Sequence, residues 1–164
     1  MNNLHRTIFS PCRKYRYTLH RRVGFMFDSA GTVAFVGLNP STADEHIDDP
    51  TIRRCVAFAR DWGYRDLLML NLFAFRATKP KDMLAAADPI GPQNDETLRL
   101  VASEAQLVVA AWGAHGSHLE REAAVCKMLP TMHALRLTKD GHPAHPLYLP
   151  KTLRPVLWPR FETA

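Results

Sequence analysis

Three short, uninterrupted apolar runs constrain this chain more than any other feature. They are residues 32–38 (TVAFVGL), 67–72 (LLMLNL) and 107–111 (LVVAA), and a weaker fourth follows at 133–137. A run that is apolar at almost every position has no wet face, so it reads as a strand buried on both sides. Between the runs the apolar period changes to that of a helix. Asp49 and Pro50 suit an N-cap and a first helical position, and Ile52, Cys55, Val56, Ala59 and Trp62 then recur at helical spacing up to Gly63. Residues 80–87, 94–105 and 119–129 are further helix candidates. Strand and helix alternate, which predicts a three-layer α/β/α domain around a central, mainly parallel sheet of about four strands. Ahead of it, residues 15–28 and the turn at Ser29–Ala30–Gly31 read as an antiparallel hairpin.

At 164 residues the chain has room for one domain. Its expected parts are an N-terminal hairpin extension (1–31), a core (32–149) and a proline-rich tail (150–164) that wraps the surface. With 46% apolar and 23% charged residues, general disorder is not expected. No apolar run reaches the roughly 18 residues that a membrane helix needs, so no membrane partner is expected. The basic, polar start lacks a secretory h-region. Cys12, Cys55 and Cys126 are odd in number and form no CxxC, which points away from a disulfide framework and toward a cytoplasmic compartment. The net charge is +5, and Arg13, Lys14, Arg16, His20, Arg21 and Arg22 crowd together. That cluster reads either as a solvated strand face or as a surface touching phosphate.

Parallel βα units place every strand exit on one edge of the sheet, where ligands bind. Here those exits hold the unusual residues. Asn39, stiffened by Pro40, follows the first run, with Ser41 and Thr42 as hydroxyls for an anion. Asn71 stands in the second run, where a buried amide must find a partner. It either bonds neighbouring backbone or faces a crevice and reads a base edge with donor and acceptor together. Phe73 and Phe75 follow it as candidate stacking faces or as core. Trp112–Gly113 closes the third run. His142 and His145, each before a proline, lie in the loop after the fourth, and an imidazole there can donate to an oxygen that gains charge. No HExxH or Cys/His pairing indicates a metal, and no cofactor is expected.

These segments resemble the uracil-DNA glycosylase superfamily. Residues 33–40 (VAFVGLNP) look like its first motif, above all in the mismatch-specific uracil/thymine branch with its Gly-x-Asn-Pro core. Residues 68–77 (LMLNLFAFRA) resemble the strand and loop whose asparagine reads the uracil edge. Residues 108–116 are similar to a Trp-Gly strand end, and 138–147 to the His-Pro-Ser-Pro loop. The chain also resembles bacterial and phage proteins of the domain-of-unknown-function 1643 family, through Asn-Pro-Ser-Thr-Ala-Asp at 39–44, Asp-Pro-Thr-Ile-Arg-Arg at 49–54 and His-Pro-Leu-Tyr at 145–148. The glycosylase resemblance implies an enzyme that excises a deaminated or modified base flipped out of DNA, and a monomer is the expected state. Asn39 would hold the attacking water, and His142 or His145 would stabilise the leaving base. Gly37, Leu38, Pro40, Asn71, Phe73 or Phe75, and Trp112 would form the base pocket. Ser41, Thr42, Arg53, Arg54 and Lys139 would meet phosphates, with a solvated helix face as the other reading of Arg53 and Arg54. The first-motif position holds an amide, which orients water but takes no proton. The intercalating Ser-Pro-Leu-Ser is replaced by Pro-Leu-Tyr-Leu. Two other functions fit the same residues: an enzyme on a free modified nucleotide or nucleoside, and a non-catalytic nucleobase or nucleic-acid binder.

Overall fold

The computed structural model describes residues 4–25 and 31–158. The three apolar runs form β3 (Thr32–Gly37), β4 (Asp66–Asn71) and β5 (Leu107–Ala110). Around them lie β1 (Ile8–Phe9), β2 (Arg16–Arg22), β6 (His133–Ala134) and β7 (Val156–Leu157). One sheet results, in the order β1-β2-β4-β3-β5-β6-β7. Strands β4, β3, β5 and β6 are mutually parallel, while β1–β2, β2–β4 and β6–β7 pair antiparallel.

The expected mainly parallel sheet of about four strands is therefore corrected to a mixed sheet of seven. The added strands flank the parallel ones. β2 joins the free side of β4 instead of forming a hairpin toward β3, and its hairpin partner is β1. The Ser29–Ala30 part of the expected turn lies outside the described residues. The tail does more than wrap: Val156 and Leu157 extend the sheet and Trp158 is buried.

Alternation along the strands sends side chains to two apolar clusters on opposite faces. Ala34, Val36, Leu68, Leu70, Val108 and Ala110 join Leu98 and Val101 of α3 (Asn94–Glu104) and Val125 of α4 (Arg121–Met128). Val33, Phe35, Leu67, Met69 and Val109 join Ile52, Cys55, Phe58 and Ala59 of α1 (Pro50–Asp61). Each fully buried Leu, Ile or Phe contributes about 1.5–3 kcal/mol relative to exposure. Asp49 caps α1 as its sequence suggests, accepting from Ile52 N at 2.9 Å. Other boundaries shorten. The helix expected over 80–87 is α2 (Pro80–Leu84). The one expected from 119 begins at Arg121, because Leu119 and Glu120 have positive φ, and the fourth strand is only two residues long.

Candidate functional site

A cavity of about 690 Å³ opens at the carboxyl ends of the parallel strands. Its wall takes Gly37, Leu38 and Asn39 from the exit of β3, Met69 and Asn71 from β4, and Ala111, Trp112 and Gly113 from β5. The loop after β6 adds His145 and the short 3-10 turn Pro146–Tyr148. Main-chain bonds tie these exits together: Leu72 N to Gly37 O, Phe73 N to Leu38 O, Ala111 N to Val36 O and Gly113 N to Pro143 O. Gly113 makes its turn at φ +75°, a conformation that L side chains rarely adopt.

Asn71 is 3% exposed and its Nδ2 has no hydrogen-bond partner. Its position is imposed from both sides. Gly37 is its register neighbour, and a Cβ there would fall 2.9 Å from Asn71 Oδ1. Behind it, the buried Asn94 donates to Asn71 O and Leu72 O, and buried Arg121 donates from Nε to Leu72 O. A rigid, buried, unpaired donor on a cavity wall is costly to leave unmade, about 1–3 kcal/mol. It is the polar group of the cavity wall's β4 segment that the protein itself leaves unpaired.

Asn39 presents a different face. Its Nδ2 donates to Pro40 O at 3.0 Å and Ala77 O at 2.9 Å, clamping the chain after β4 to the exit of β3. With Nδ2 so held, Oδ1 is the atom it can offer to a ligand or water. His145 accepts from Leu147 N through Nδ1, which fixes the neutral tautomer with its proton on Nε2. Partial desolvation at the cavity rim holds its pKa below the usual histidine value, with Asp49 opposing the shift.

The two histidines part company. His142 lines a separate hollow of about 330 Å³ with Glu122, Cys126 and Trp158. Its Nδ1 lies 3.0 Å from Glu122 Oε2, and Glu122 Oε1 also accepts from Trp112 Nε1 at 2.9 Å. His142 thus braces the ring of Trp112 from behind. Phe73 lies fully in the core, with its ring near His118, and Phe75 packs edge-on to Tyr15; neither lines the cavity. Ser41 lines it, whereas Pro40, Thr42, Arg53, Arg54 and Lys139 do not. Arg53 donates to Asp48 O, and Arg54 to Leu149 O while lying over the Phe58 ring. Pro40 is buried behind the wall and Lys139 is exposed.

Two charged residues of the wall were not among the individual site candidates, although Arg16 belongs to the basic cluster read as one that could touch phosphate. Asp49 lines the cavity while capping α1. Its position was available in principle, since a helix that follows a parallel strand starts at the ligand edge. Arg16 arrives from β2, whose antiparallel course brings its first residue to that edge. It is 2% exposed, donates from Nη1 to Ala43 O at 3.0 Å, and its Nε has no partner. Burial pulls its pKa down to about 10, with Asp49 opposing and Arg76 and Arg21 reinforcing, so it is cationic at neutral pH. The rest of the N-terminal basic cluster is largely matched by acids. Arg13 meets Glu45, Arg21 meets Asp48, and His20 and Arg22 meet Asp66.

Among the described residues no group of three or more His, Cys, Asp or Glu is gathered to hold a metal ion. No helix among them is long and apolar enough to cross a membrane.

Fold and site together define a mixed α/β domain with a cavity at the carboxyl ends of its parallel strands, its largely apolar wall carrying a few polar side chains. The family described as Protein of unknown function (DUF1643) matches residues 16–147, and the chain belongs to that family. Comparison with curated proteins and with solved structures gives no match.

Proposed function

We propose that the cavity is a nucleobase pocket and that the chain hydrolyses an N-glycosidic bond, releasing a deaminated or modified base from DNA. The observation that carries this reading is the unpaired Nδ2 of buried Asn71, on the same cavity wall as Asn39 and the Nε2–H tautomer of His145. Asn71 donates to a carbonyl of the base and sets its orientation. Asn39 Oδ1 accepts from the attacking water. As the water oxygen bonds to the sugar carbon, the C–N bond breaks and its electron pair stays on the base. His145 donates from Nε2 to the base oxygen where that charge gathers. Asp49, the one carboxylate among the lining residues, takes the proton that the water gives up. The order of the motifs, which resembles that of the uracil-DNA glycosylase superfamily, supports this reading by resemblance.

Phe73 and Phe75 pack away from the cavity, and Trp112 is 2% exposed within the same core cluster as Phe73, so none of the three is assigned a stacking face. His142 acts through Glu122 on Trp112.

The test is release of free base. Purified protein is incubated with oligonucleotides carrying uracil, mismatched thymine or hypoxanthine, and with the corresponding free nucleosides. Base release is followed by chromatography, and abasic sites by alkaline cleavage. Asn71→Ala and His145→Ala are expected to lose about 10²–10³-fold in rate, as removal of a donor to a developing charge does elsewhere. Absence of base release from every substrate would end the hydrolytic reading. Release from free nucleosides alone would support the second reading, an enzyme on a free nucleotide or nucleoside. That reading is favoured by the placement of Thr42, Arg53, Arg54 and Lys139 outside the cavity wall.

A further inference from the structure

A buried guanidinium has five N–H donors and a full charge, and both ordinarily find partners. Arg16 departs from that rule. It is 2% exposed, its Nη1 donates to Ala43 O, and its Nε is buried without a hydrogen bond. Asp49 is the nearby acid that acts on it through space, and no hydrogen bond joins the two. Arg76 and Arg21 add like charge around it, and Arg21 is itself matched by Asp48. The first turn of α1, where Thr51 shares the wall with Arg16, adds the positive end of a twelve-residue helix. The wall thus holds a fixed cation with unused donors beside a helix N-terminus, in a cavity large enough for more than a bare base.

We infer that Arg16 is the anion-binding residue of this cavity, and that the natural ligand carries a phosphate group which enters the cavity together with its base. This deepens the nucleobase reading and rests on it for the second half of the ligand. Arg53 and Arg54 of α1 lie outside the cavity wall, donating to Asp48 O and Leu149 O, whereas Arg16 lines it.

The experiment is calorimetric titration of the full chain with inorganic phosphate, 2′-deoxyuridine, its 5′-monophosphate, and a single-stranded oligonucleotide containing the same base. The monophosphate is expected to bind at least tenfold tighter than the nucleoside. That gap should vanish in Arg16→Met and survive in part in Arg16→Lys. Both variants are first checked for native circular dichroism. Because Arg16→Met removes an incompletely paired buried charge, its melting temperature without ligand should equal or exceed that of the parent chain. Equal affinity for nucleoside and monophosphate in the parent chain overturns the inference, as does a gap that persists in folded Arg16→Met. Arg16-dependent phosphate binding with no affinity for the nucleoside keeps the anion site and defeats the nucleobase reading. Nucleoside binding that needs Asn71 but gains nothing from phosphate does the reverse. The oligonucleotide distinguishes the phosphate's source: tighter binding than the monophosphate assigns it to a nucleic-acid strand, weaker binding to a free nucleotide.

Discussion

Gly37 and Asn71 show how one residue's lack of a side chain fixes another's position. They are register partners on β3 and β4, and the Asn71 amide occupies the space where a Gly37 Cβ would stand. Gly37→Ala should therefore push the amide out of line. The expected result is a loss of base binding or base release of about 10²-fold, with a stability cost of about 1–3 kcal/mol. Kinetics and chemical denaturation on the same variant check both, and unchanged kinetics would show that the amide's placement is immaterial. At this scale the sequence picked out Asn39 and Asn71 because a polar residue at the end of an apolar run is conspicuous. It left His142 and His145 equivalent, since both precede proline. Only Glu122, brought in by α4, separates them by holding His142 behind Trp112. Phe73 was a stacking candidate on its position after the strand. The strand ends at Asn71, period-two alternation ends with it, and Leu72 and Phe73 both turn into the core.

Helix α1 was the most legible element, because Asp49–Pro50 states its start in side-chain chemistry. The cap bond to Ile52 N is present, and the same carboxylate faces the cavity. The two roles can be separated. Asn caps a helix about as well as Asp, so Asp49→Asn should melt near the parent temperature while losing base release. Asp49→Ala should lose that activity and also about 1 kcal/mol of stability. Thermal melts paired with rate measurements test this, and full activity in Asp49→Asn would remove Asp49 from the chemistry. Strands β1 and β7 were illegible for the opposite reason, and β6 was read too long, over 133–137. Two residues each is too short for any periodicity, and their pairing depends on neighbours far away in sequence.

Across the whole molecule, charge is arranged at opposite edges of the sheet. At the edge away from the cavity, Asp66 begins β4 and is 1% exposed. Burial pushes its carboxyl upward, but hydrogen bonds from Arg65 and His20 outweigh this and leave it below the usual aspartate value. A depressed folded-state pKa contributes stability that is complete above the unfolded value of about 3.9 and is lost as pH falls through the folded one. Asp66→Asn should therefore cost about 1–3 kcal/mol at neutral pH, and the gap from the parent chain should close as the pH is lowered below about 4. Urea midpoints across pH test it, and a gap constant with pH would assign the loss to packing alone. By itself the sequence determined the parallel strands, the helix that follows the first of them and the edge where polar residues gather, because these follow from local period and capping. The tertiary structure alone decided that Arg16 enters the cavity, that His145 and not His142 lines it, and that the sheet has seven strands. Those outcomes depend on which distant backbone edges pair, and no local pattern of residues encodes that.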